Sequence, residues 1–189
     1  AQAAMDSGVA QKPIADMGAY VIELQKRMGL ENKLVRSITE QAQSNPKKVI
    51  FGQADNLKVL KAVQAVKHEG IAEPILLGKE SEIKQIINDM ELDLSDVRII
   101  DPRSDEESER VSQFAEEFTG LRNRKGITPT DAREFMQSQS YFGSMMVRMG
   151  QADAFLSGTG SHYSDTIKPA IECVGVKPEL DHIAGMYIL

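Results

Sequence analysis

The sequence predicts an α/β fold, a mainly parallel sheet with helices on both faces. Three observations predict it. Short apolar runs of strand length alternate with helical patterns of roughly 10–20 residues. Within those patterns apolar residues recur at helical spacing, as Ile83, Ile86, Ile87 and Met90 do at i, i+3, i+4 and i+7. Start and stop signals also fall between the runs rather than inside them.

In order, residues 1–45 read as helical, with a turn at Lys12-Pro13. Ala19, Val21, Ile22, Leu24 and Met28 supply one apolar face, and Gly29 closes it. Asn45-Pro46 breaks the pattern, and a first strand comes next over 47–51. The next helix runs from about 56 to 69, with Gly70 just past its end. Residues 73–78 form a second strand, the isoleucine helix comes after it, and 96–101 form a third strand. Ser104 and Glu107 have capping-box spacing ahead of Val111, Phe114, Ala115 and Phe118. Thr128 caps another helix, with Pro129 at its first position. Phe142, Met145, Met146 and Met149 make a further stripe that reads as core. A short strand over 154–156 breaks into a Gly/Ser/Thr loop, which runs into a helix starting near Asp165 or Thr166. Residues 182–189 read as a last strand.

A chain of 189 residues suits one medium domain or two small lobes. Its net charge of −6, with no basic run of five or more residues, argues against nucleic acid as a partner. The absence of tryptophan argues against a platform for stacking bases. The apolar runs are too short to span a bilayer and no signal peptide opens the chain, so no membrane partner is expected. Cys173 is the only cysteine, which fits a reducing compartment, and a cytoplasmic location is expected. Both ends look cut, so the expectation is a segment of a larger protein.

The loop from Ser157 to Ser164 comes after a strand, where open α/β sheets bind ligands. Its small residues admit a close ligand, and the helix after it offers free N–H groups to an anion. The plain alternative is an ordinary connection capped by Asp165. Gly158-Thr159-Gly160 completes no dinucleotide fingerprint, because Tyr163 stands at the third glycine, and there is no Walker lysine after it. Ser161-His162 forms no nucleophile elbow. His162 with Asp165 is too few ligands for a metal site. His68 belongs to a helix end, and Cys173 reads as a packed thiol. Arg122, Arg124 and Lys125 cluster before a turn. They are either a solvated helix end or a phosphate clamp suited to arginine's planar fork. With Lys168 on the helix after the loop, they suggest a polyanionic ligand such as CoA.

Several segments resemble the phosphotransacetylase family in order. They are 48–60, 69–78, Arg124 to Pro129, Tyr141 to Gly143 with Met145 to Val147, and, most specifically, Ala152 to Ala170. Residues 1–30 resemble instead the segment closing the nicotinamide-binding domain of bacterial malic enzymes, some of which carry a phosphotransacetylase-like domain directly after it. The resemblance implies a helical junction over 1–45. It implies next, over 46–189, the first part of a two-lobed phosphotransacetylase-like domain, incomplete at its C-terminus. It implies acetyl-CoA or a related acyl-CoA as ligand, held by Arg122, Ser157, Gly158, Thr159, Tyr163, Asp165, Thr166 and Lys168, with Asp165 and Thr166 capping the helix. NADP and a divalent metal would serve the parent protein and no cofactor this segment, and a homo-oligomer is expected. The family's catalytic Ser, Arg and Asp cluster falls past Leu189, so no catalytic residue is assigned. Lys168 stands where the family carries Arg, and Gln53-Ala54-Asp55 where it carries acidic-Gly-acidic. The implied function is an acetyl-CoA-sensing regulatory and oligomerising domain of an NADP-dependent malic enzyme, which oxidatively decarboxylates malate to pyruvate. An active phosphate acetyltransferase and a purely structural assembly module are the alternatives.

Overall fold

The computed structural model describes residues 5, 7–9, 14, 16–27, 33–177, 179, 180 and 183. The turn at Lys12-Pro13, the closing Gly29 and, but for Ile183, the strand read over 182–189 lie outside the described residues. Two compact units divide the chain, Ala1–Gln41 and Ala42–Leu189. In the first, α1 (Met17–Arg27) opens on Asp16, whose Oδ1 accepts the N–H groups of Gly18 at 2.8 Å and Ala19 at 3.0 Å. Val21 and Leu24 of its expected apolar face are exposed. The second helix, α2, spans Lys33–Ser44.

The second unit holds the sheet. In chain order come β1 (Lys47–Phe51), α3 (Leu57–Glu69), β2 (Ala72–Leu77), α4 (Glu80–Asp89), β3 (Arg98–Ile100), α5 (Ser108–Arg122), α6 (Pro129–Met136), α7 (Gln139–Arg148), β4 (Ala154–Leu156) and α8 (Tyr163–Cys173). All strand pairs are parallel, in the order β3-β2-β1-β4. Strand alternation sends neighbouring side chains to opposite faces. Phe51 and Leu76 join Leu60, Val63, Ile83 and Ile87 of α3 and α4 on one face. Ile50, Ile75, Leu77 and Ile100 meet Phe114, Phe118, Phe142 and Met145 on the other. The predicted sheet, covered on both faces, is what the chain builds.

Local chemistry explains the element ends. Asn56 caps α3 by accepting the Lys58 N–H at 2.9 Å, and Gly70 ends it at φ 65°. Thr128 and Asp131 cap α6 reciprocally, with Pro129 at the first position as predicted. Three expectations need correction. The third strand is only three residues long, Arg98–Ile100. Ser104 caps nothing through its side chain, because its hydroxyl donates to the Asp101 carbonyl and a 3₁₀ turn precedes α5. The last helix starts at Tyr163, with His162 as its N-cap, two to three residues earlier than expected.

Candidate functional site

The chain leaves β1 towards β2 and β3 on one side, then returns to place β4 on the other. That reversal makes the crevice beyond the carboxyl ends of β1 and β4 the place where open sheets bind ligands. Two loops flank it, 52–56 after β1 and 157–162 after β4.

Gln53 ties these loops together. Its Oε1 accepts the Gly160 N–H at 3.1 Å, and its Nε2 donates to the Ser161 hydroxyl. Its own N–H donates to Gln139 Oε1 at 2.8 Å, fixing it to the start of α7. Gln53 does this at φ 55°, a left-handed backbone that a residue with a Cβ seldom adopts. Such strain persists only where surrounding contacts impose it, and it gathers at functional sites. Phe155 supports the loop from beneath, with its ring wedged between Gly52 and Gly143.

The structure gathers Ser157, Gly158, Thr159 and Thr166 around this crevice. Gly158 takes φ 111°, a region that favours glycine, and the methyl it lacks would point at Thr166 Oγ1, 3.8 Å away. That buried hydroxyl has no hydrogen-bond partner among the described residues. Ser157 and Thr159 also line a cavity of about 250 Å³ with Phe51, Gly52, Lys58 and Leu156. Lys58 is a further cation at the site, one that no sequence motif singles out. Tyr163 is 78% exposed at the first turn of α8. Asp165 stands in that turn, where its charge suits the helix dipole, but neither it nor Thr166 is the cap. His162 takes the N-cap place through backbone geometry alone, because extended backbone continues to it.

Lys168 sits farther along α8, and Arg122 at the end of α5. Lys168 is exposed, about 7 Å along the axis from Tyr163. Arg122 closes α5 and is no solvated end: its Nη2 lies 2.8 Å from Glu172 Oε1, near the far end of α8. Arg124 and Lys125 remain exposed in a 3₁₀ turn. Glu172 also accepts the Tyr141 hydroxyl at 2.6 Å. Burial, the largest influence, would raise its pKa. Hydrogen bonds from Tyr141 and Arg122, with the charges of Arg122 and Lys168, together outweigh it and hold the carboxyl below its ordinary range. Burial first, then Glu172, pushes the Tyr141 phenol well up. Cys173, buried beside them, is pushed up to about 12, mainly by burial. It is the packed thiol the sequence suggested. Among the described residues no group of three or more His, Cys, Asp or Glu forms a metal cage.

Gln53 and Glu172 carry little signal in sequence. The first would be found by asking which residue leads the chain out of the central strand, the second only from the packing of α5 on α8.

Comparison with known proteins gives this geometry its setting. The sequence model of the phosphate acetyl/butaryl transferase family matches residues 33–189. A phosphate acetyltransferase of Thermoanaerobacterium thermosaccharolyticum is 36% identical over 156 residues, covering 82% of this chain and 46% of that protein. An NADP-dependent malic enzyme of Salmonella typhimurium is 35% identical over 189 residues, covering 98% of this chain and 24% of that protein. A phosphotransacetylase structure from Staphylococcus aureus superposes with a TM-score of 0.69 at 27% identity, over 79% of this chain and 44% of that one. The chain thus spans about half, or less, of the length of the proteins it matches.

Proposed function

Because the chain belongs to the phosphate acetyl/butaryl transferase family, we propose that it binds acetyl-CoA as a regulatory and oligomerising domain of an NADP-dependent malic enzyme. One observation carries the malic-enzyme context. Similarity to the Salmonella malic enzyme runs over 189 residues, whereas the family match begins only at residue 33. Residues 1–32 thus lie outside the family match, while the similarity to the malic enzyme takes in 98% of this chain.

In this reading the backbone of Ser157 to Gly160 and the first turn of α8 receive the ligand's anionic end. Lys168 of α8 and Arg122, which reaches α8 from the end of α5, neutralise phosphates. Acetyl-CoA inhibits malate oxidation by favouring one packing of the assembly over another. NADP and a divalent metal act in another part of such a protein. Cytoplasmic action fits this reading, and no described helix is long and apolar enough to cross a membrane.

Calorimetric titration of the full-length protein with acetyl-CoA, paired with malate decarboxylation rates at saturating acetyl-CoA, tests the reading. Binding that leaves rate and malate affinity unmoved refutes regulation. The second reading is an active phosphate acetyltransferase, favoured by the 36% identity to such an enzyme. Formation of acetyl phosphate from acetyl-CoA and phosphate, lost on Lys168→Ala, would establish it instead.

A further inference from the structure

We infer that Glu172 is a built-in competitor for Arg122, which a ligand phosphate must displace. This rests on the reading above that Arg122 meets ligand phosphate.

The two halves of the ion pair are held unequally. Glu172 is anchored independently of Arg122, since its second oxygen accepts the Tyr141 hydroxyl at 2.6 Å. Tyr141 is in turn fixed, stacked on Phe135 at 4.8 Å between ring centroids and edge-on to Phe118 at 5.5 Å. Arg122 has no such second anchor: among the described residues its guanidinium meets Glu172, through Nη2 alone. It closes α5 at the edge of the 3₁₀ turn Asn123–Lys125. When the pair separates, the carboxylate stays and the guanidinium swings.

The arrangement also selects ligand class. Glu172 lies one turn beyond Lys168 on α8, so a single carboxylate is flanked by two cations. A carboxylate ligand has no advantage over the one already present. A phosphate brings more charge and more acceptor oxygens, and it engages both cations at once. The device therefore admits phosphorylated ligands and turns away small carboxylic acids.

The test is a double-mutant cycle on the full-length protein, titrated with acetyl-CoA, using Arg122→Ala, Glu172→Gln and both together. Glutamine keeps the shape and a hydrogen-bonding oxygen for Tyr141 while removing the competing charge. Glu172→Gln should bind roughly fivefold tighter, near the upper limit for an ion pair that is not fully buried. In the Arg122→Ala background the same change should do much less, since only Lys168 then remains beside it. Glu172→Asp, which withdraws the carboxylate, should move affinity the same way as glutamine and guards against a folding artefact. Unchanged or weaker binding in Glu172→Gln, with Arg122→Ala still weakened, overturns the competitor alone. Unchanged binding in Arg122→Ala overturns the phosphate contact itself.

Discussion

Replacing Gly143 by alanine probes the wedge that carries the loop. Gly143 lies inside α7 and is buried. An ideal Cβ there would stand 2.7 Å from Cε2, 2.8 Å from Cδ2 and 3.0 Å from Cζ of Phe155. Helix propensity alone would make the substitution stabilising by about 1 kcal/mol. Overpacking acts the other way, by about 1–3 kcal/mol, and three ring atoms at such distances put this site in the upper part of that range. The net expectation is a loss of roughly 1–2 kcal/mol, or about 2–8 °C in Tm for a chain of this size. Urea and thermal unfolding measure it. Phe155 precedes Leu156 and Ser157, so the displaced ring should also weaken acetyl-CoA binding. Phe155→Leu in the Gly143→Ala background should restore much of the loss, a coupling absent from distant pairs. A Gly143→Ala protein that is more stable than the parent would show that the ring moves aside freely, and the wedge argument fails.

Gln53→Ala removes both side-chain bonds to the 157–162 loop and should loosen it by about 1–2 kcal/mol, seen as faster proteolytic cutting there while the global melt shifts less. Thr128→Ala breaks the reciprocal cap of α6 and should cost about 1 kcal/mol in urea unfolding. The Asp131 carboxyl is held below its usual range, first by the Thr128 hydroxyl and then by the Thr128 N–H. Its contribution is therefore present above the unfolded pKa and lost as pH falls through the lower folded one, and Thr128→Ala should flatten that acid limb. Cys173 runs the other way: burial raises its pKa to about 12, so the folded state loses stability as pH rises from the ordinary thiol value of about 8.5 towards 12. Cys173→Ala should remove that alkaline decline, and the native thiol should resist disulfide reagents at pH 8.

Periodicity and break residues reveal the sheet because both act locally. Asn45-Pro46, Gly70 and Thr128-Pro129 do their work within a few residues, and each element they bound is present. The start of α8 is misplaced in sequence for a related reason. Asp165 is a good cap residue by type, but cap position is decided by where extended backbone ends, and it ends at His162. The loop after β4 stands out through its glycines. Its tie to the sheet does not, because Gln53 and Ser161 are 108 residues apart in sequence. Likewise, Arg122 looks like a free cation in sequence because Glu172 approaches it only when α5 packs on α8.

The strand order also sets a sequence in time. β1, β2 and β3 come from one continuous stretch, with Lys47 beside Ala72 in register. β4 joins β1 only by closing a far longer span, with the Lys48 N–H donating to Asp153 Oδ2 across 105 residues. Closing a span about four times longer costs about 1 kcal/mol more in chain entropy. The expected history is early formation of the three-stranded part with α3 and α4, then late arrival of β4 with its loop. In native-state hydrogen exchange the Asp153 and Gly52 amides, which bond to Lys48 and Leu156 across β1 and β4, should exchange before those of Ile75 and Leu76. The crevice is then the last seam to knit and the first to part. A ligand bridging its two loops would hold that seam closed, reporting its presence as stability before it alters any rate.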